Sequence, residues 1–350
     1  MKRRTFFQVA GLGLGGATAE LFASADGLAA LPRQRPKTAA KAPFENTVLG
    51  PIPATSLGQT LMHEHILVDF IGADRIAPGR YDAREVFQIA LPHLRKLKSV
   101  GCATLVECTP AYLGRDPGLL ALLADGSGLR LITNTGFYGA AGGKYVPRFA
   151  YSETAEKLAE RWSTEFEKGI PPSGIRPGII KIGVDSGPLS EINTKLVTAA
   201  ALTHLRTGLV IASHTGDGVA AMAQLAVLAK LGVRPSSFIW VHAHNEKDVS
   251  FHQRAAEMGA WVEFDGIAAE TLERHLALVT GMKRANLLDR VLISQDAGWY
   301  HVGEPGGGSF RGCAFLFSDF LPALRKAGFS EEHVHTLLVE NPQRALLSRA

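Results

Sequence analysis

Short runs of β-branched and other apolar residues alternate with longer helical patterns eight times along this 350-residue chain. The apolar runs are GQTLMHEHILV, ATLVECT, LRLITNTG, GIIKIGV, LVIASHT, FIWVHAH, AWVEFDG and RVLISQD. Eight strand-then-helix units in about 300 residues have the size and rhythm of a (β/α)8 barrel. The sequence therefore predicts an α/β fold, a (β/α)8 TIM barrel over residues 45–350, with a doubly wound open sheet as the alternative.

The segments between these runs carry helix boundary signals. In DAREVFQIALPHLRKLKSVG, Asp82 stands at the N-cap, Glu85 at the capping-box position and Gly101 at the C-cap. Similar apolar spacing predicts further helices near residues 153–168, 190–207, 217–232, 248–259 and 270–285.

The first 30 residues have the order of an export signal. Arg3 and Arg4 precede Phe6 and Phe7, a mild Gly/Ala-rich apolar stretch follows, and small residues come last. This order resembles a twin-arginine signal over residues 1–30, and a flexible Pro/Lys-rich tail is expected over residues 31–44. The apolar stretch is too short for a membrane span. We therefore expect a periplasmic or secreted protein that is exported in its folded state.

Net charge and cysteine spacing indicate which partners and which cysteine chemistry to expect. The formal net charge is only +4, and no dense Lys/Arg patch is interleaved with aromatic residues, which argues against nucleic acid. Cys102, Cys108 and Cys313 form no C-x-x-C pair, so they are expected to be buried apolar residues rather than a disulfide framework. A small-molecule substrate is the expected partner, and a homodimer is left open.

Polar side chains lie at or near the carboxyl ends of the predicted strands. They are His63, His65, Glu107, Lys181, His214, His242 or His244, Asp265 and Asp296. Active sites of (β/α)8 barrels are built at this end, from several strands. Imidazole and carboxylate suit zinc and neighbouring first-row metals, which can activate water. A single histidine is more often structural, but four histidines and an aspartate at the ends of several strands predict a metal site.

Lys181 is unusual in this set because its ammonium would repel a cation. One interpretation pairs it with a nearby carboxylate, Asp185 or Glu107. The other is a neutral amine that reacts with carbon dioxide to form an anionic carbamate, since burial disfavours the charged form of lysine. Spacing alone leaves both open.

These motifs, in this order, resemble the phosphotriesterase-like branch of the amidohydrolase superfamily. The matching stretches are GQTLMHEHI, GRD at 114–116, GIIKI, SHT, GAWVEFDG, ISQD and FRGCAFLFSDFLPALRKAGFSEEHVHTLLVENPQRAL. The resemblance implies a (β/α)8 barrel with two divalent metal ions bridged by a carboxylated lysine and a hydroxide. Zinc is the default metal, and cobalt, manganese or iron would fit the same ligands.

The resemblance also implies a role for each of these residues. It assigns His63, His65 and Asp296 to one metal, His214 and His242 to the other, and Lys181 to the bridge. His242 is preferred to His244 because its distance from Asp265 matches the interval in the family. Asp296 is the expected catalytic proton acceptor, and Tyr138 is similar to a tyrosine that positions the lactone ring in family lactonases.

Substrate identity is less constrained. Gly266 stands where phosphotriesterases have a histidine and quorum-lactone hydrolases an arginine, and Asn245 replaces an aspartate of the phosphotriesterase proton relay. Trp299 to His301 and the following GEPGGGS are expected to form a mobile loop over the site.

The leading functional hypothesis is a dinuclear metal-dependent hydrolase of lactones or carboxylic esters, with phosphotriesters as a side activity. The alternatives are an amidohydrolase acting on an amide or cyclic amide, and a non-catalytic periplasmic metal-binding protein.

Overall fold

The computed structural model describes residues 44–347. The predicted export signal over residues 1–30, and all but the last residue of the predicted tail over residues 31–44, lie outside the described residues. Within residues 44–347, no helix combines the length and apolar character needed to cross a membrane.

Eight parallel strands, one of them split into two segments, form the wall of the barrel. Their bounds are β3 Thr60–Glu64, β5 Thr104–Glu107, β6 Arg130–Ile132 continued by β7 Asn134–Thr135, β8 Ile179–Val184, β9 Val210–Thr215, β10 Phe238–Val241, β11 Trp261–Phe264 and β12 Val291–Ile293. They pair in the order β3-β5-β6 and β7-β8-β9-β10-β11-β12. The Asp296 N–H donates to the His63 carbonyl at 3.2 Å beyond the end of β12, next to β3. The fold is the predicted (β/α)8 barrel, and each of the eight apolar runs contains its strand.

Two small sheets lie outside the barrel wall. β1 Phe44–Thr47 and β2 Gly50–Pro53 form an antiparallel hairpin. β4 Leu67–Val68 pairs in parallel with β13 Tyr300–His301.

All six predicted helices are present, among eleven α-helices within residues 44–347. Their bounds are α1 Ala83–Ser99, α2 Pro117–Ser127, α3 Arg148–Ser152, α4 Ala155–Lys168, α5 Glu191–Thr207, α6 Gly218–Lys230, α7 Val249–Glu257, α8 Leu272–Arg284, α9 Leu321–Lys326, α10 Glu331–His335 and α11 Asn341–Leu346. Single π-helical stretches, Leu316–Phe320 and Thr336–Glu340, precede α9 and α11. Short 3-10 turns lie at Ala54–Ser56, Pro235–Ser237, Ala243–Asn245, Ala269–Thr271, Leu288–Arg290 and Pro305–Gly307.

The local helix signals act largely as expected. The Asp82 side chain accepts a hydrogen bond from the Arg84 N–H and so caps α1. The C-cap of α1 is Val100, and Gly101 follows it with a φ of +107°, so the predicted C-cap was one residue late. α2 was not predicted because its sequence is rich in Gly and its apolar residues form no stripe, although Asp116 caps it.

The apolar core has two layers, because successive strand residues point to opposite faces. Ile180 and Ile182 of β8 pack in the larger cluster with the surrounding helices. Ile179 belongs to a second cluster, formed largely by side chains of the barrel strands. Two residues further along the same face, Lys181 reaches the cavity at the strand ends, while Cys108 of the second cluster lines it too. The three cysteines are free and buried, as predicted.

Candidate metal centre

A cavity of about 220 Å³ lies at the carboxyl ends of the barrel strands. All of the residues predicted to bind metal or substrate line this cavity: His63, His65, Tyr138, Lys181, His214, His242 and Asp296. The remaining wall is mainly apolar and comes from Phe70, Cys108, Leu113, Ala141, Tyr145 and Trp299. The structure therefore brings together predicted site residues that are up to 233 positions apart in the sequence, His63 and Asp296.

The Asp265 carboxylate is hydrogen-bonded to two of the histidines. His63 Nδ1 lies 2.7 Å from Asp265 Oδ2, and His242 Nδ1 lies 2.8 Å from Asp265 Oδ1. The His242 backbone N–H also donates to Oδ2 at 3.1 Å, which fixes a residue whose φ is +64°. Burial acts to raise the pKa of Asp265, but His242 and His63 outweigh it and hold that pKa well below the usual range. A carboxylate at Nδ1 is the common way in which proteins orient a metal-binding histidine.

The other two histidines have uncharged partners at the same ring atom. His65 Nδ1 lies 2.8 Å from the Thr109 hydroxyl, and His214 Nδ1 lies 3.0 Å from the Tyr138 hydroxyl. All four rings therefore have Nδ1 engaged by a neighbouring side chain. In each ring, Nε2 is the atom left for a ligand.

Asp296 meets the first two histidines at their Nε2 atoms. His63 Nε2 and His65 Nε2 are 3.1 Å apart, and Asp296 Oδ1 lies 3.7 Å from the former and 3.1 Å from the latter. Asp296 Oδ1 is buried and has no hydrogen-bond partner within residues 44–347. Three ligand atoms that converge in this way, one of them an unpartnered carboxylate oxygen, fit a cation.

A second group of potential ligands, His63, His242 and Asp265, is equally compact. Its contacts are those between Asp265 and the Nδ1 atoms, so its geometry is already explained by hydrogen bonds. Asp265 is better understood as the support of the two imidazoles than as a ligand.

Burial lowers the pKa values of three of the histidines that line the cavity. It lowers the pKa of His63 to about 3, with a further contribution from Lys181, and it also lowers the pKa of His65. Burial lowers the pKa of His214 well below the usual value as well. For Asp296, burial acts to raise the pKa, but the neighbouring His65 and His63 outweigh it and hold that pKa well below the usual range. Neutral imidazoles and an ionised carboxylate are the forms that bind metals. His242 differs from the other three histidines, because burial acts to lower its pKa but Asp265 outweighs burial and raises it.

Lys181 is 1% exposed and is one of the largest fully buried side chains of the protein. Neither carboxylate suggested by the sequence pairs with it. The Glu107 carboxylate accepts backbone N–H groups from Ile66 and Thr109, and none of the described carboxylates lies within 4 Å of Lys181 Nζ. A buried amine without a counterion faces the same cavity as the histidines.

The ambiguity between His242 and His244 has a structural answer. Only His242 lines the cavity; His244 lies beside Asp265, with its Nδ1 3.0 Å from Oδ1. A Cβ added to Gly266 would lie 2.5 Å from His244 Nε2. The His244 ring therefore occupies the space that a side chain at position 266 would need.

Trp299 closes one side of the cavity. The centroid of its ring lies 4.3 Å from that of the His65 ring and 5.7 Å from that of the Phe70 ring, on which it stacks. Its Nε1 donates a hydrogen bond to the Asp296 carbonyl at 2.7 Å. The next two residues behave differently from the predicted loop. Tyr300 and His301 form β13 against β4, and Tyr300 is buried away from the cavity.

Comparison with known proteins agrees with this geometry. Residues 44–346 match the model of the Phosphotriesterase family. The chain belongs to the phosphotriesterase family.

Relatives within the phosphotriesterase family align along nearly their whole length. The chain is 29% identical to the "Phosphotriesterase homology protein" of Escherichia coli K12 over 292 residues, which cover 82% of this chain and 97% of that protein. It is 27% identical to the "Phospho-furanose lactonase" of Mycoplasmopsis synoviae over 325 residues, which cover 87% of this chain and 91% of that protein.

A solved double mutant of the organophosphorus hydrolase from Deinococcus radiodurans superposes with a TM-score of 0.79. The two sequences are 28% identical, and the match covers 87% of this chain and 96% of that chain. The family membership and these relatives identify the protein as a hydrolase that acts on small molecules.

The sequence interpretation gave no supporting role to two residues. Asp265 was used only as a strand-end carboxylate and as the reference for choosing His242, and Thr109 was not singled out at all. The available signal was weak: Asp265 directly follows the last residue of β11, and Thr109 lies two residues after the end of β5.

Proposed function

We propose that the protein is a dinuclear metal-dependent hydrolase of small lactones or carboxylic esters, with phosphotriesters as a side activity. The observation that carries this proposal is the arrangement of the four histidines. Each has Nδ1 engaged and Nε2 available, and two of the Nε2 atoms converge on an unpartnered Asp296 oxygen.

The residues fit two divalent ions. In the proposal, His63, His65 and Asp296 hold one ion, His214 and His242 hold the other, and carboxylated Lys181 joins them. The buried amine of Lys181, which no described carboxylate contacts, supports this assignment, because a carbamate would place an anion beside the metals. Zinc is the preferred metal for these nitrogen and oxygen ligands, and cobalt, manganese or iron are alternatives.

When bound, the metals supply Lewis acidity and lower the pKa of water to about 7. The Asp296 carboxylate would accept the proton of the attacking water and transfer it to the leaving oxygen as the ester carbon–oxygen bond breaks. Its low pKa keeps the carboxylate ionised and ready to accept at neutral pH.

The walls of the cavity indicate the kind of substrate. Its volume of about 220 Å³ is below the roughly 300–1,000 Å³ typical of pockets for drug-sized ligands. Tyr138 presents its ring beside His214, and Phe70, Tyr145 and Trp299 add apolar surface. These features favour a compact ester or lactone with an apolar portion, with Tyr138 positioning the ring.

The test compares hydrolysis of a small lactone, an aryl ester, an N-acyl amide and an aryl phosphotriester by the metal-free and zinc-loaded chain. We expect zinc-dependent kcat/KM values for the lactone or aryl ester at least tenfold above those for the amide and the phosphotriester. His214→Asn should abolish turnover, whereas His335→Asn, which removes an exposed histidine on α10, should not. Full ester turnover by the metal-free chain, or turnover of the amide alone, would contradict the proposal.

Export remains a separate proposal that rests on the leader sequence. We propose that residues 1–30 direct the folded protein through the twin-arginine pathway to the periplasm. Replacing Arg3 and Arg4 by Lys should retain the protein in the cytoplasm, as judged by cell fractionation, and periplasmic recovery of that variant would refute the pathway.

A further inference from the structure

Glu64 separates the two histidines of the first strand and is 0% exposed. It is register partner to Glu107 on β5, and its carboxylate points away from the cavity. Burial raises its pKa to about 7. A carboxyl group at this depth is costly unless it accepts hydrogen bonds, so its partners indicate why it is there.

The hydroxyl and backbone donors to Glu64 belong to the segment that carries Asp296, and the Cys313 thiol also lies beside its carboxyl group. Glu64 Oε1 accepts from the Ser294 hydroxyl at 2.8 Å and from the Gln295 N–H at 2.9 Å, and Oε2 accepts from the Ala297 N–H at 2.7 Å. The two backbone donors belong to the residues immediately before and after Asp296. The Glu64 carboxylate therefore brackets Asp296 without touching it.

Asp296 needs such support because its backbone is strained. Its φ is +49°, a left-handed conformation that is uncommon for residues other than glycine. Its Oδ1 has no hydrogen bond within residues 44–347 that would aim it at the histidines. Strained residues at functional sites persist only where their surroundings determine the backbone. The direction of the Asp296 carboxylate is consequently set through its backbone.

Further hydrogen bonds link the Asp296 segment to β3, the strand that carries His63. The Ser294 hydroxyl, which donates to Glu64, also accepts the His63 N–H at 3.0 Å. The Asp296 N–H in turn donates to the His63 carbonyl at 3.2 Å. Glu64, the neighbours of Asp296 and the backbone of His63 thus form one connected unit.

We propose that Glu64 is a positioning residue that holds Asp296 in the orientation required to bind a metal ion. The His-Glu-His motif thereby contributes three functional groups: two imidazoles towards the cavity and one carboxylate that aligns the third ligand from behind. This inference rests on the proposed function, in which Asp296, His63 and His65 share one ion.

The substitution Glu64→Gln tests this role while keeping the side-chain volume. An amide has one acceptor oxygen and one NH2 donor. Whichever way it is oriented, the NH2 group faces at least one backbone N–H beside Asp296, so a hydrogen bond is replaced by two opposed donors. A matched control is Glu263→Gln on β11, because the Glu263 carboxylate is equally buried but accepts no hydrogen bond from any described residue.

The measurement is the affinity of the full chain for zinc, determined by competition with a chromophoric chelator. We expect two zinc ions to bind the unmodified chain and Glu64→Gln to weaken one of them by about 10–100-fold, as is usual for residues that support metal ligands. Asp296→Asn should weaken the same ion. The double variant should be no weaker than Asp296→Asn alone, because Glu64 acts through Asp296. Glu263→Gln should stay within about threefold of the unmodified chain.

The outcomes separate the two proposals. An unmodified chain that binds no zinc would refute the proposed function. The role of Glu64 would be overturned if Glu64→Gln bound two zinc ions with unchanged affinities. It would also be overturned if the loss of zinc affinity in the double variant equalled the product of the losses in the two single variants. If Glu64→Gln does not fold, Ser294→Ala removes one of the three hydrogen bonds to Glu64 and also the hydroxyl that accepts the His63 N–H. That variant should weaken the same ion, and an unchanged affinity would count against the inference.

Discussion

Asp265 is the residue on which two of the four imidazoles depend, and replacing it by Asn is the most informative single change. Asp265 is 0% exposed and accepts from the Nδ1 atoms of His63 and His242 and from the His242 backbone. An asparagine keeps the shape but presents one oxygen and one NH2 group. The Nδ1 atom of one imidazole would then face an NH2 donor. That imidazole would adopt the tautomer with the proton on Nε2, so its Nε2 could not bind a metal.

The magnitude follows from the bonds that are lost. Hydrogen bonds to a charged group contribute about 1.5–3 kcal/mol each, and Asp265→Asn removes or reverses at least one of them at an imidazole. A loss of that size corresponds to a factor of about 10–100 in an equilibrium constant. The range agrees with the 10–100-fold loss of metal affinity that follows the removal of residues supporting metal ligands.

The assay is zinc affinity by chelator competition, followed by melting of the metal-free chain to separate binding from folding. Glu263→Gln is the control, because it changes a buried carboxyl group two residues before Asp265 in the sequence. We expect Asp265→Asn to bind zinc 10–100-fold more weakly and the control to bind it normally. Zinc affinity within threefold of the unmodified chain in a folded Asp265→Asn would refute the account of how the histidines are oriented.

Three further predictions follow from the contacts around the cavity. Tyr138→Phe removes the hydroxyl at His214 Nδ1, so zinc affinity should fall about tenfold, measured by the same competition. Trp299→Ala should raise KM for apolar lactones several-fold in steady-state assays, because it removes aromatic surface from the wall. His275 is buried with a pKa lowered to about 4, so the stability it contributes is present above pH 6.5 and is lost as pH falls towards 4. When the pH is lowered from 7 to 5, the free energy of unfolding measured in urea should therefore fall by about 2 kcal/mol less in His275→Phe than in the unmodified chain.

Each of these has a matched comparison. Tyr145→Phe changes another tyrosine of the cavity wall whose hydroxyl makes no described hydrogen bond, so it should retain zinc, and equal losses in both tyrosine variants would contradict the role of Tyr138. An unchanged KM in Trp299→Ala for all lactones would place the substrate elsewhere. His335→Asn removes an exposed histidine, and a pH dependence altered as much as in His275→Phe would refute the assignment to burial.

The sequence was informative about what repeats along the chain. Eight apolar runs predicted the eight strands because a buried parallel strand must be apolar on both faces, as Ile179 to Val184 illustrate around Lys181. The strand-end histidines could likewise be found, since the carboxyl ends of barrel strands meet at one face. α2 could not, because its glycines and continuous leucines lack a helical stripe.

What the sequence could not predict are the contacts between distant positions. Asp265 meets His63 across 202 residues, and Glu64 reaches the segment around Asp296 across more than 230. Neither pairing has a local signal, since both follow from barrel closure. Tyr300 shows the same limit: its sequence suggested a loop over the site, but pairing with Leu67 makes it a strand.

The most direct test of the central claim is to titrate the metal-free chain with zinc while following hydrolysis of a small lactone or aryl ester. We predict that activity rises until about two zinc ions are bound per chain and that chelation reverses it. Activity that is complete without metal, or two bound ions with no hydrolysis of any lactone or ester, would contradict the account.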